Sequence, residues 1–303
     1  MTALPLSAAP PLRVVATTGM IADTARQIGG ELVDVRALMG PGVDPHAYRQ
    51  TRSDIAAMTR ADLVLWHGLY LEAQMEEFLV KLARRVPVEA VGEAVTQDDL
   101  IAHEDYEGRF DPHVWMSPRL WVHVADKVEN VLSTARPEHA EVFAANAAAF
   151  KDQLAALQTY GETTLASVPQ SARVLLSAHD AFGYFGKEFG YEVIGIQGIS
   201  TESEAGLNRI ATLVDLLVDR KIGAAFVESS VSDRNIRALI EGAAAKSHTV
   251  KIGGELYSDA MGPDGTYEAT YIGMIDHNFT TITRALGGDA PQRGLHGKLM
   301  AGA

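Results

Sequence analysis

A chain of 303 residues exceeds one average domain, so two domains are expected. Its 47% hydrophobic and 21% charged residues supply a full core, while a formal net charge of −13 argues against a nucleic-acid partner, which needs clustered Lys and Arg. With no cysteine, thiolate catalysis, Fe–S clusters, cysteine zinc fingers and disulfides are excluded, and any transition metal must be held by His, Asp or Glu.

No apolar run reaches the ~20 residues that span a bilayer. Met1 to Pro11 are small, apolar and uncharged. Without a basic start they read as an engineered start or the tail of a trimmed export signal, outside the fold. Leu12 to Thr18 is a β-branched run and reads as a buried strand ended by Gly19. Met20 to Ile28 has helical spacing and stops at Gly29-Gly30, and Glu31 to Met39 reads as a second strand closed by Gly40-Pro41-Gly42. Directly after it comes Asp44-Pro45-His46, placing a histidine at the carboxyl end of a strand, where open α/β sheets carry their ligands.

Thr51 to Arg60 reads as a helix, Ala61 to Gly68 as a strand, Leu69 to Arg84 as a helix and Val86 to Val91 as a strand. The alternation predicts a parallel sheet with helices on its faces. It breaks at a polar, acidic loop, Thr96 to Phe110, containing His103-Glu104-Asp105-Tyr106-Glu107. The loop ends in a second D-P-H, Asp111-Pro112-His113-Val114-Trp115, where proline restricts the backbone on both sides of itself and presents the imidazole rigidly. Ser117-Pro118 then reads as the N-cap and first residue of a helix to about Ala135.

Pro137 to about Val168 is the longest helical pattern, with Phe143, Phe150, Leu154, Leu157, Leu165 and Val168 on three- and four-residue steps. At the helical rise it would span ~48 Å and act as a rigid strut between two α/β units. Beyond it the alternation restarts. Strands are expected at Arg173 to Ala178, Glu192 to Gln197, Ile222 to Val227 and Thr249 to Glu255. Helices are expected at Ala181 to Phe189, Glu204 to Asp219, Asp233 to Lys246 and Tyr271 to Leu286. The Gly-rich tail from Gly287 is expected to be loose. This gives an N-terminal α/β lobe over 12–135, a linking helix over 136–168 and a C-terminal α/β lobe over 169–287.

His46, His113, His179 and Asp259 share one address, at or just after a strand end or at a loop-to-helix junction beside one, two in each lobe. If the lobes face each other, the four converge in the cleft. Three imidazoles and a carboxylate make a tetrahedral set suited to zinc, whereas manganese prefers more oxygen. His123, His139, His248, His277 and His296 read as surface or capping residues, His67 as a satisfied core or cleft-wall histidine, and His103 as a solvated loop residue. Asp44, Asp111 and Asp180 could orient the imidazoles or cap turns, and Glu228 could face the cleft or serve a helix cap or salt bridge.

Three rivals compete. A metallohydrolase would need an open metal position and a general base, yet no H-E-x-x-H is present. A dinucleotide-binding protein would need G-x-G-x-x-G where Thr17-Thr18-Gly19-Met20 stands. A structural or adhesive surface protein would lack tight metal binding.

The segments V-A-T-T-G-M-I-A-D, G-V-D-P-H-A-Y, R-A-D-L-V-L, D-P-H-V-W-M-S-P, S-A-H-D-A-F-G-Y-F, V-E-S-S-V, L-Y-S-D-A-M-G and T-Y-I-G-M-I-D-H-N cover nearly the whole chain in order. Together they resemble the substrate-binding proteins of zinc and manganese ABC transporters. The resemblance implies two lobes, a long linking helix, and a metal in the cleft on His46, His113, His179 and Asp259. It implies a non-enzymatic, monomeric periplasmic receptor that hands Zn2+, or alternatively Mn2+, to an ABC permease, with a metallochaperone as an optional second partner. In the family the third ligand is histidine in zinc-type and some mixed members and glutamate in many manganese-type members, so His179 favours zinc. The long His-rich loop of many zinc-specific members is short here, with His103 alone among acids.

Overall fold

The structure, a computed structural model, describes residues 10–103, 106–203 and 205–300. In the first lobe four parallel strands, β1 (Leu12–Ala16), β2 (Val33–Ala37), β3 (Leu63–Trp66) and β4 (Val88–Ala90), line up in the order β2-β1-β3-β4. Val14 sits opposite Val35 on one side and Leu63 on the other. Every residue of β3 is buried, as expected of a strand covered on both faces. The covering helices α1 (Gly19–Gly29), α2 (Arg52–Arg60) and α3 (Glu76–Leu82) follow β1, β2 and β3. Helix α2 starts at a reciprocal cap, with Thr51 and Asp54 each taking the other's backbone N–H.

The second lobe repeats the plan. Strands β5 (Val174–Ser177) and β6 (Glu192–Gly195) pair in parallel, as do β7 (Ala224–Glu228) and β8 (Lys251–Leu256), and β5 runs beside β7. Around them pack α6 (Gly183–Phe189), α7 (Leu207–Asp219), α8 (Arg234–Ala245) and α9 (Tyr271–Ala285). Between the lobes lie α4 (Pro118–Ala135), capped by the Ser117 hydroxyl, and the linking helix α5 (Ala140–Ala166). Phe143, Ala147, Phe150, Leu154, Leu157 and Leu165 bury one stripe of α5 against α1 and α4 from the first lobe and α9 from the second. A 27-residue helix spans ~40 Å, so one rigid rod is packed against both lobes.

Four expectations need correction, and three more fall wholly or partly outside the described residues. The helix expected over Leu69 to Arg84 shrinks to α3, because Gly68, Leu69 and Tyr70 take left-handed φ of 79°, 52° and 70°. The cause is local: the buried Glu72 carboxylate accepts from the N–H groups of His67 and Gly68 and from the Thr17 hydroxyl, winding the chain into a turn. The strut is shorter than expected, since Pro137–His139 forms a separate 3-10 turn. The tail is not loose: Ala290 and Leu299 are buried, and Leu295 N–H donates to the Asp276 carboxylate. His277 is not a surface residue; it is buried and its Nε2 meets the Glu255 carbonyl. The expected helix start at Glu204 lies outside the described residues, as do Glu104 and Asp105 of the acidic loop and Met1 to Ala9.

Candidate metal centre

The carboxyl ends of both sheets face the cleft. His46 follows β2, His179 follows β5 and Asp259 follows β8, while His113 arrives on the loop before α4. All four are buried, and their candidate ligand atoms lie within 4.8 Å of one another. His113 Nε2 is 3.3 Å from His46 Nε2 and 3.3 Å from His179 Nε2. The Asp259 oxygens stand 3.4 Å from His113 Nε2 and 3.2 Å from His179 Nε2.

The surroundings select the tautomers. The Nδ1 of His113 meets Asp111 Oδ1 at 2.6 Å, and the Nδ1 of His179 meets Glu228 Oε2 at 2.5 Å. A carboxylate at Nδ1 keeps the proton there, turns the Nε2 lone pair inward and makes the imidazole a better donor. The same carboxylates also accept the backbone N–H of their histidines, so each loop and ring is fixed together. Among the described residues Asp259 Oδ1 makes no hydrogen bond and has only the His113 Nε2 edge at 3.4 Å, a costly arrangement for a buried carboxylate. Two inward lone pairs, the Nε2 of His46 beside them and the Asp259 carboxylate fit a divalent cation.

Charge follows the same geometry. Burial pushes His46 down to about 3. Burial also opposes charge on His113, but Asp111 and Asp259 outweigh it and push the ring up to about 9. His179 is raised well above its ordinary value, since Asp259 and Glu228 overcome its burial. Burial works against Asp259 as well, yet His179 and His113 hold its carboxyl well below the usual range. The Asp259 pocket is thus built for positive charge.

Several supporting residues carry no motif in the sequence. The buried His67 donates from Nε2 to the Pro112 carbonyl at 2.7 Å, bracing the second D-P-H turn from beneath. Burial pushes its ring down to about 3, so it stays neutral, and among the described residues its Nδ1 has no partner; only half of the satisfied-histidine expectation holds. His103 is buried against Tyr106 beside the site, against the expectation of a solvated loop residue. Trp115 links the lobes: its Nε1 donates to the Ser258 carbonyl at 2.7 Å and its own carbonyl accepts from Tyr271 at 2.8 Å. Of the residues that could orient imidazoles, Asp111 and Glu228 do so, whereas Asp44 meets His46 at its backbone N–H and accepts the Thr201 hydroxyl on its other oxygen. His248 stands just past the end of α8, with its backbone N–H on the Ala243 carbonyl and its ring Nε2 on the Ile222 carbonyl at 2.7 Å.

Two parallel α/β lobes on a rigid helix, with a buried His3Asp cluster between them, define a substrate-binding protein of the metal ABC transporter type. The chain belongs to the family described as zinc-uptake complex component A, periplasmic, whose profile matches residues 14–285. It is 50% identical over 276 residues to the manganese-binding lipoprotein MntA of Bacillus subtilis (strain 168), covering 91% of this chain and 90% of that protein. It is 43% identical over 273 residues to the zinc-binding protein TroA of Treponema pallidum (strain Nichols), covering 90% of this chain and 88% of that one. The solved structure of that periplasmic zinc-binding protein superposes with a TM-score of 0.89, covering 91% of this chain and 99% of the other. The iron-binding protein YfeA of Yersinia pestis is 29% identical, over 93% of this chain and 89% of its own length.

Proposed function

We propose that this chain is an exported, periplasmic receptor that binds one Zn2+ through His46, His113, His179 and Asp259 and delivers it to an ABC permease. The observation that carries the reading is the buried cluster in which three Nε2 atoms and a carboxylate oxygen that makes no hydrogen bond among the described residues face one point. Three imidazoles suit zinc better than manganese, which favours oxygen. The alternative cargo is Mn2+, supported by the 50% identity to a manganese-binding relative and by the two Asp259 oxygens that both face the cluster.

Four protein ligands leave no open position for a reactive water, which argues for a carrier and against a metallohydrolase. The working division is a first lobe over 12–135, a linking helix over 136–168 and a second lobe over 169–287. The receptor acts as a monomer, with a metallochaperone an optional second partner. The test is titration of metal-free protein with zinc and with manganese, alongside His179→Ala. About one tightly held equivalent of zinc, weakened by the substitution, is expected. A much stronger manganese response overturns zinc as the cargo, and an unchanged first equivalent in His179→Ala overturns the site.

A further inference from the structure

The cluster's histidines are not held alike. His113 and His179 are fixed at Nδ1 by buried carboxylates, at 2.6 and 2.5 Å. Asp259 follows Ser258, whose carbonyl is tied to Trp115 across the lobes. His46 is held through its backbone only: its N–H donates to Asp44 Oδ1 at 2.8 Å, and among the described residues none takes its Nδ1. Freeing either of the other rings breaks a buried charged pair, which is costly; freeing His46 breaks none.

Asp44 in turn is held from the opposite lobe. Its Oδ2 accepts from the Thr201 hydroxyl at 2.6 Å, on the segment between β6 and α7. The neighbouring Glu202 accepts from Gln74 of the first lobe, so two side-chain ties fasten this segment across the cleft. Against His46 on the same flank lies a cavity of about 10 Å³ bounded by Tyr70, His103, Ile199 and Ser200, room for roughly one water. A second, larger cavity, about 90 Å³, lies against Asp259 and Met261 and shares no lining residue with the first. Reaching the metal from there means displacing the carboxylate that both His113 and His179 face.

Resting on the metal-receptor reading, we propose that His46 is the ligand that detaches first, that metal passes on its flank, and that Thr201 is the positioning residue that sets how often this flank opens. The chain of positioning is Thr201 to Asp44 to the His46 backbone, so losing the hydroxyl loosens the ligand without removing a donor atom.

The test is release of Co2+, as a visible probe, and of Zn2+ from loaded protein into excess chelator by stopped flow, with the cobalt absorption spectrum recorded for each variant. Thr201→Val is expected to release metal about tenfold faster with an unchanged cobalt spectrum, the size of effect one hydrogen bond to a charged group carries. Thr201→Ser restores the original rate, and Met261→Ala, which widens the cavity beside Asp259, leaves it within about twofold if that cavity is not the route. Full loading with an unchanged Thr201→Val rate, or equal acceleration by Met261→Ala, overturns this inference alone. A chain that takes up neither cobalt nor zinc overturns the receptor reading and this inference with it.

Discussion

Asp111 and Glu228 do for two histidines what the bare ligand set cannot do for itself. Each holds the proton at Nδ1 and places negative charge on the far side of a ring whose Nε2 faces the cluster, so the cluster is tuned from outside as well as built from within. Replacing the carboxylate by an amide keeps an acceptor at Nδ1 and removes its charge. Asp111→Asn and Glu228→Gln are therefore each expected to lower metal affinity by about 10- to 100-fold, measured by chelator competition, with the number of bound equivalents unchanged. Affinity equal to that of the unaltered chain would mean that these carboxylates serve the backbone N–H groups they also accept and not the rings. Asp111 is legible in the sequence because it belongs to the turn of the histidine it serves, whereas Glu228 meets His179 from 49 residues away. The braces have no such address. His67 reaches a carbonyl 45 residues on, and Thr201 reaches a carboxylate 157 residues back, and no local spacing encodes either meeting.

At the scale of elements, alternation of β-branched runs with helical periodicity was enough to read both sheets. Parallel strands buried on both faces are written as continuous apolar segments, and β3 and β5 are examples. Periodicity failed where a polar tertiary contact overrode it. Leu69 to Met75 carries helical spacing, but the Glu72 carboxylate takes the free N–H groups at the end of β3 and winds the segment into a left-handed turn. The tail failed for the same reason, its Gly-rich composition hiding a docked Leu299 and the N–H of Leu295 on Asp276. The Glu72 turn has a consequence for pH. Burial pushes this carboxyl up to about 7 despite its three donors, from an ordinary 4.5. The folded chain thus holds this proton more tightly than the unfolded chain does. The contribution is fully present below about 4.5 and is lost as pH rises through 7, to the extent of roughly 3 kcal/mol. In metal-free protein the urea midpoint of the unaltered chain is expected to fall relative to that of Glu72→Gln between pH 5 and pH 8. Two curves that stay parallel across that window would show that Glu72 is ionised throughout.

On the scale of the whole molecule, α5 packs on both lobes, and the interface beside it is polar and buried. Tyr271 donates to the Trp115 carbonyl and takes Asp23 on its own N–H, while its ring stacks on Trp121 at 5.1 Å. Tyr184 donates to the Asp111 carbonyl across the same boundary. Swinging the lobes apart as rigid bodies would break these bonds together and leave buried donors unmet, each at a cost of about 1–3 kcal/mol. Moving the segment at Thr201 breaks one or two bonds near solvent. Metal exchange is therefore expected to proceed by local rearrangement and not by hinge opening. Small-angle scattering of metal-free and metal-loaded protein checks this. A compact chain of this length has a radius of gyration of ~19 Å, and the two forms should agree within about 1 Å. Trp115→Phe keeps the ring but removes the donor to Ser258, and so should widen the difference between the two forms while leaving the His3Asp donor atoms in place. A shift of several ångström in the unaltered chain would mean that the strut bends, and that the lobes open about it as a hinge.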